Sequence, residues 1–134
     1  MKNLEIVLLD DDLIFLMLQR RILLGAGIKN LIKSFSDAPE ALSYIEDAPS
    51  GMIFLVFLDI NLAQTNARVF LNNLVSKDLD SKTYIVIASS SVDAKDWQLV
   101  HDFNCVIDFI EKPLTKEMIH KIRSNPLIEK YIEM

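Results

Sequence analysis

The sequence predicts one α/β domain, a five-stranded and mostly parallel sheet with helices on both faces, and three observations lead there. Its 134 residues are close to the commonest size of a single domain and few for two that each bury a core. Short β-favouring apolar runs alternate five times with stretches of helical periodicity, the pattern of strands joined through crossover helices. The strongest of those runs are continuous rather than alternating, as strands buried on both faces require. No internal repeat, low-complexity tract or Gly/Ser linker divides the chain.

The first strand is expected at residues 4–9, ended by Asp10, Asp11 and Asp12. The residues after Asp12 suit a helix with Leu13, Leu16, Met17, Ile22, Leu23 and Leu24 as its apolar face, closed at Gly25 or Gly27 in a left-handed cap. A weaker strand at 31–35 precedes a helix with Asp37 as N-cap, Glu40 three residues on, and Ala41, Leu42 and Ile45 at helical spacing. Residues 52–58, between Gly51 and Asp59, form the most hydrophobic strand, and Val69, Phe70, Leu74 and Val75 mark the next helix. The fourth strand, 84–88, ends in Ser89, Ser90 and Ser91; the helix after it enters through Asp93 and carries Trp97, Val100 and Phe103. A fifth strand at 105–110 runs into Lys112 and Pro113. Thr115 then caps a last helix through Met118, Ile119 and Ile122, with Glu117 in its first turn.

Composition narrows the function. Nineteen acids against fourteen bases give a net charge of −5 with no basic block, so a phosphate backbone would release few counterions and nucleic acid is not an expected partner. The longest apolar runs fall well short of the ~20 residues that span a bilayer, which argues against a membrane partner. The N-terminus has Lys2 but meets three aspartates before any long apolar stretch, unlike a signal peptide, so a cytoplasmic location is expected. A single cysteine, Cys105, excludes an intramolecular disulfide and a multi-thiolate zinc site.

In parallel sheets of this kind crossovers are right-handed and the ligand crevice lies beyond the carboxyl ends of the strands. A nucleotide site would place glycines after the first strand, where backbone N–H groups close around phosphate. The chain places Asp10, Asp11 and Asp12 there instead, a cluster that repels bare phosphate and suits a hard divalent cation such as Mg²⁺. Asp12, next to the helix, also reads simply as its cap. Asp59 ends the third strand as a further metal ligand or a nucleophile toward phosphorus. Ser89 offers a hydroxyl at the end of the fourth strand, and Pro113 holds Lys112 in an extended conformation at the end of the fifth. Singly these are turn and surface residues. Together they are the parts of phosphoryl transfer to a carboxylate: metal site, nucleophile, hydrogen-bond donor and ammonium.

With these motifs in this order, roughly the first 120 residues resemble the response-regulator receiver domains of two-component signalling, the chemotaxis-regulator-like phospho-acceptors. Ile6-Val7-Leu8-Leu9-Asp10-Asp11 resembles the acidic strand end, and Phe57-Leu58-Asp59-Ile60-Asn61 the acceptor segment. Ile87-Ala88-Ser89-Ser90 is similar to the switch hydroxyl and its small neighbour, and Phe109-Ile110-Glu111-Lys112-Pro113 to the switch aromatic followed by Lys-Pro. The resemblance implies a (βα)5 flavodoxin-like fold and Mg²⁺, or Mn²⁺, on Asp10, Asp11, Asp59 and the backbone carbonyl of Asn61. It implies Asp59 as phospho-acceptor assisted by Ser89 and Lys112, and Ser89 with Phe109 as the switch. The implied partners are a histidine kinase or phosphotransfer protein and a downstream protein, met on the surface near Trp97, Phe109 and Ile119, by a monomer or weak dimer. Such a domain is no enzyme beyond catalysing its own phosphorylation and dephosphorylation.

The chain departs from the family in the loop after the acceptor. Leu62-Ala63-Gln64-Thr65-Asn66-Ala67 lacks the usual proline and both usual glycines. A positive φ at Ala67 would carry a steric cost, so a rerouted loop is expected. Residues 1–124 are read as the receiver domain and 125–134 as a short tail with Pro126 at the start of an extra helical segment, in a chain that stands alone or is excised from a larger protein. Two rival readings remain. One is a phosphorylation-independent pseudo-receiver that only binds protein. The other is a haloacid-dehalogenase-like phosphatase, suggested by Asp10-x-Asp12 but lacking a late acidic pair after Lys112.

Overall fold

The computed structural model describes residues 3–62, 65–90 and 93–134. Of the expectations above, those on Lys2, on Ala63 and Gln64 of the loop, and on Ser91 lie outside the described residues. Five parallel strands form one sheet in the order β2-β1-β3-β4-β5: β1 Asn3–Leu9, β2 Ile32–Phe35, β3 Met52–Asp59, β4 Thr83–Ser89 and β5 Val106–Glu111. The helices between them are α1 Leu13–Gly25, α2 Ala38–Glu46, α3 Ala67–Ser76, α4 Gln98–Asp102 and α5 Lys116–Arg123. The sheet is therefore the five-stranded parallel one expected, with the strand order reversing beside β1.

The continuous apolar runs of β1, β3 and β4 are buried on both faces because each face carries its own core layer. On one side Val7, Val56 and Ile87 meet Ala41 and Ile45 of α2, Phe70, Leu71 and Leu74 of α3, and Leu99 of α4. On the other, Ile6, Leu8, Leu55 and Phe57 meet Leu16 and Leu23 of α1 and Ile119 and Ile122 of α5. The register matches Leu9 with Leu58 and Asp59 with Ala88, so β1, β3 and β4 finish level with one another and present their last residues on one rim.

Several helix details differ from the sequence reading. Asp37 stands at the N-cap of α2 but its side chain makes no capping bond, and proline in the first turn removes one of the donors a cap would serve. In α3 the inward residues are Ala67, Phe70, Leu71 and Leu74, while Val69 and Val75 face out. The fourth helix is only five residues long: Trp97 precedes it and Phe103 follows it, both outside the regular turns. The departure in α1 is the largest. Leu16 and Leu23 turn inward as expected, but Leu13, Met17 and Leu24 are exposed, Ile14 is 71 % exposed, and Gln19, a polar residue, is only 2 % exposed. The turn into β2 contains Gly27 at φ +91, a conformation that favours glycine.

The tail docks on the molecule. Ile128 is fully buried against the α1 and α5 layer, and a 3₁₀ turn at Glu129–Tyr131 follows it. Buried Asn30 holds the strap. Its Nδ2 donates to the carbonyls of Leu4 and Tyr131, both at 2.9 Å, and its Oδ1 accepts from the Glu133 N–H. Among the described residues no helix is long and apolar enough to cross a membrane.

Candidate functional site

The site lies on the rim where the strands end. The Asp10 N–H donates to the carbonyl of Phe35, which continues the β1–β2 ladder by one residue and fixes the aspartate just past the sheet. Asp10 is 2 % exposed; its Oδ1 accepts from the Asp12 N–H at 2.9 Å, and its Oδ2 from Lys112 Nζ at 2.7 Å. Asp59, the last residue of β3, is buried beside it, and its Oδ1 accepts from the same ammonium at 3.1 Å. Asp11 is exposed at the mouth. Carboxylate oxygens of Asp10, Asp11 and Asp59 all lie within 4.8 Å of one another. The sequence thus placed these four side chains in one site, and the structure brings them together.

The electrostatics follow from that crowding. Burial, and then the negative charge of Asp10, push the Asp59 carboxyl above its ordinary value, against the opposing pull of Lys112 and of the Asn61 backbone N–H. Burial alone would lower Lys112, but hydrogen bonds to and charges of Asp10 and Asp59 outweigh it and hold the ammonium above its ordinary value. Three carboxylates against one ammonium leave a surplus of negative charge and hard oxygen donors, a donor set that fits a small divalent cation such as Mg²⁺.

Asp12 does not share in the cluster. Its Oδ1 accepts from the N–H groups of Ile14 and Phe15, so it is the N-cap of α1. Asn61 is exposed two residues past Asp59 and pairs with Asn66 in an isolated antiparallel bridge. The bonds of that bridge run from the Ala67 N–H to Ile60 O and from the Leu62 N–H to Thr65 O. The carbonyl of Asn61 is consequently not used by the bridge. Ala67 adopts no positive φ; it opens α3 behind the Asn66 cap, whose side chain accepts from the Val69 N–H. The bridge between Asn61 and Asn66 brings the chain to Ala67 without a positive φ there.

Ser89 ends β4, buried, one residue past the Ala88 that pairs with Asp59, and its carbonyl accepts from the Lys112 N–H at 2.7 Å. Phe109 is buried on β5, and Trp97 stacks on it with ring centroids 5.0 Å apart and 24° between planes. Of the three residues read as marking a partner surface, only Trp97, 43 % exposed, reaches solvent. Phe109 and Ile119 are buried in opposite core layers, because β5 alternates its side chains and α5 packs on the other face. Any contact there involves the outer sides of these elements rather than those two side chains.

The sequence reading missed Phe15. Lys112 Nζ lies 4.3 Å from the centroid of its ring, within cation–π range. The one available signal was an aromatic residue in the first turn of the helix that leaves the acid cluster, which by itself says nothing of a lysine at the far end of the chain.

The sequence matches no protein-family model and no curated protein. Solved structures are similar throughout. A response-regulator receiver protein from Dyadobacter fermentans superposes with a TM-score of 0.78 at 18% identity, covering 96% of this chain and 97% of its own. A two-component response regulator from Cytophaga hutchinsonii gives 0.78 at 21% identity, covering 95% and 98%. A response-regulator receiver domain protein from Methanospirillum hungatei gives 0.68 at 24% identity, covering 88% and 90%. The fold of this chain is the flavodoxin-like fold of those receiver domains.

Proposed function

We propose that the chain is the phospho-accepting receiver of a two-component phosphorelay. The observation that carries this reading is the meeting of Asp10, Asp11, Asp59 and Lys112 on one rim of a receiver fold. A carboxylate oxygen of Asp59 attacks the phosphorus of a phosphohistidine on a histidine kinase or phosphotransfer protein. The P–N bond breaks, its electron pair returns to the imidazole nitrogen, and the product is an aspartyl acyl phosphate. Asp10, Asp11, Asp59 and the Asn61 carbonyl would hold Mg²⁺, with Mn²⁺ as a substitute. When bound, the cation supplies charge compensation to the phosphoryl oxygens.

The rest is done by the chain. Lys112 neutralises charge that develops on the transferred group, and the Ser89 hydroxyl donates to a phosphoryl oxygen. The domain catalyses only its own phosphorylation and dephosphorylation. The uncovered apolar face of α1, which leaves the site at Asp12, is the landing surface offered to the phosphodonor protein. Output passes from Ser89 to the Phe109–Trp97 stack and the outer sides of α4, β5 and α5, where a downstream protein reads a population shift between two states.

Intact-mass measurement after incubation with a small acyl phosphate and Mg²⁺ tests the reading. One phosphoryl group is expected on the wild type and none on Asp59→Asn. A wild type that gains no mass would point instead to a pseudo-receiver, and an Asp59→Asn chain that still gains it would move the acceptor elsewhere.

A further inference from the structure

We propose that Phe15 is a positioning residue for Lys112, an assignment that rests on the receiver reading above. Among the described residues the Lys112 ammonium meets Asp10 Oδ2 at 2.7 Å, Asp59 Oδ1 at 3.1 Å and the Phe15 ring at 4.3 Å from its centroid. The lysine side chain is 14 % exposed and its stem is flexible, so these contacts decide where its charge sits. Two of them would be shared with the chemistry. Asp10 and Asp59 are also the carboxylates that would hold a divalent cation, so both anchors would weaken when the charge of Lys112 is needed. The ring is the anchor that the chemistry leaves alone, being neutral and attractive to a cation through its quadrupole.

The backbone that carries the ring is held by the acid loop. The Phe15 N–H donates to Asp12 Oδ1 at 3.2 Å, and the Asp12 N–H donates to Asp10 Oδ1 at 2.9 Å. One chain of hydrogen bonds therefore ties the backbone of Phe15 to Asp10, a carboxylate that also holds Lys112. Phe15 touches no transferred atom; it acts by holding Lys112 over the acceptor while the carboxylates change partners.

The test compares the wild type with Phe15→Leu, Phe15→Trp and a series in which Phe15 carries one, two or three ring fluorines. Fluorination keeps the shape of the ring and drains its quadrupole, so packing and cation attraction separate. Phosphorylation by acetyl phosphate with Mg²⁺ is followed by intact mass. Phe15→Leu is expected to slow the saturated rate by roughly three- to tenfold, with little change in the donor concentration at half-saturation. Phe15→Trp is expected to stay within about twofold, and the fluorinated chains to fall in graded order. A Phe15→Leu rate equal to the wild type, or a flat fluorinated series, would overturn the assignment and leave the ring a packing residue. A wild type that takes no phosphoryl group would instead sink the receiver reading. The ¹⁵N–¹H signal of the Lys112 ammonium across the fluorinated series then decides the ring contact separately, and an unmoved signal counts against it.

Discussion

Asp59 is held by opposed influences whose balance shifts with its surroundings. Its pKa stands above the ordinary carboxylate value through burial first and the Asp10 charge second. An acid raised in this way contributes stability that is complete below its unfolded pKa and lost as pH rises through the folded one. Ionising Asp59 therefore costs the fold stability, and a cation that neutralises the cluster offsets that cost. Mg²⁺ at saturation is expected to raise the melting temperature by roughly 5 °C. Differential scanning fluorimetry checks this, and an Asp11→Ala chain with an unchanged response would show that the cation binds elsewhere. These site residues were legible in the sequence because each stands where an apolar strand run stops, and the rim of a parallel sheet collects such positions. Phe15 was not, since its role exists only through Lys112, which the fold brings from the opposite end of the chain.

Helix α1 shows what periodicity cannot decide. Its residues are apolar on nearly every side, so the pattern carries little information about which side meets the sheet. The structure puts Leu16, Gln19 and Leu23 inside and leaves Leu13, Ile14, Met17 and Leu24 outside. Gln19 Oε1 has no hydrogen-bond partner among the described residues. Replacing it with Met removes an unsatisfied buried acceptor and is expected to stabilise the protein by about 1 kcal/mol. Met17→Glu, on the outer side, is expected to stay within about 0.5 kcal/mol of the wild type. Urea denaturation of both variants measures the two effects. A large loss in Met17→Glu would mean that the outer side is covered in solution. Where one face is clearly apolar, as in α2 with Ala41 and Ile45, the sequence reading and the structure agree.

At the scale of the molecule the alternation of strand and helix was readable, because strands buried on both faces give unbroken apolar runs. Their lateral order was not. Alternation says which elements follow one another, not which lie side by side, and β3 lies beside β1 rather than β2. The Asn30 strap lay beyond sequence reading for the same reason, since it joins β1, the turn into β2 and the tail. Its position has a practical meaning. Leu4 is the second residue of the strand that Asp10 follows, so the strap and the acid cluster sit at opposite ends of the sheet, about 20 Å apart at the rise of a parallel strand. Robustness and reactivity are thus separately adjustable. Asn30→Ala is expected to lower unfolding free energy by about 1–3 kcal/mol while the native fraction accepts phosphate at the wild-type rate. In the double variant with Phe15→Leu the two deficits should combine independently, as distant sites do. Denaturation and phosphorylation measured on the four chains of that cycle test it, and a coupling between them would reveal that the sheet transmits strain from its anchored end to its reactive one.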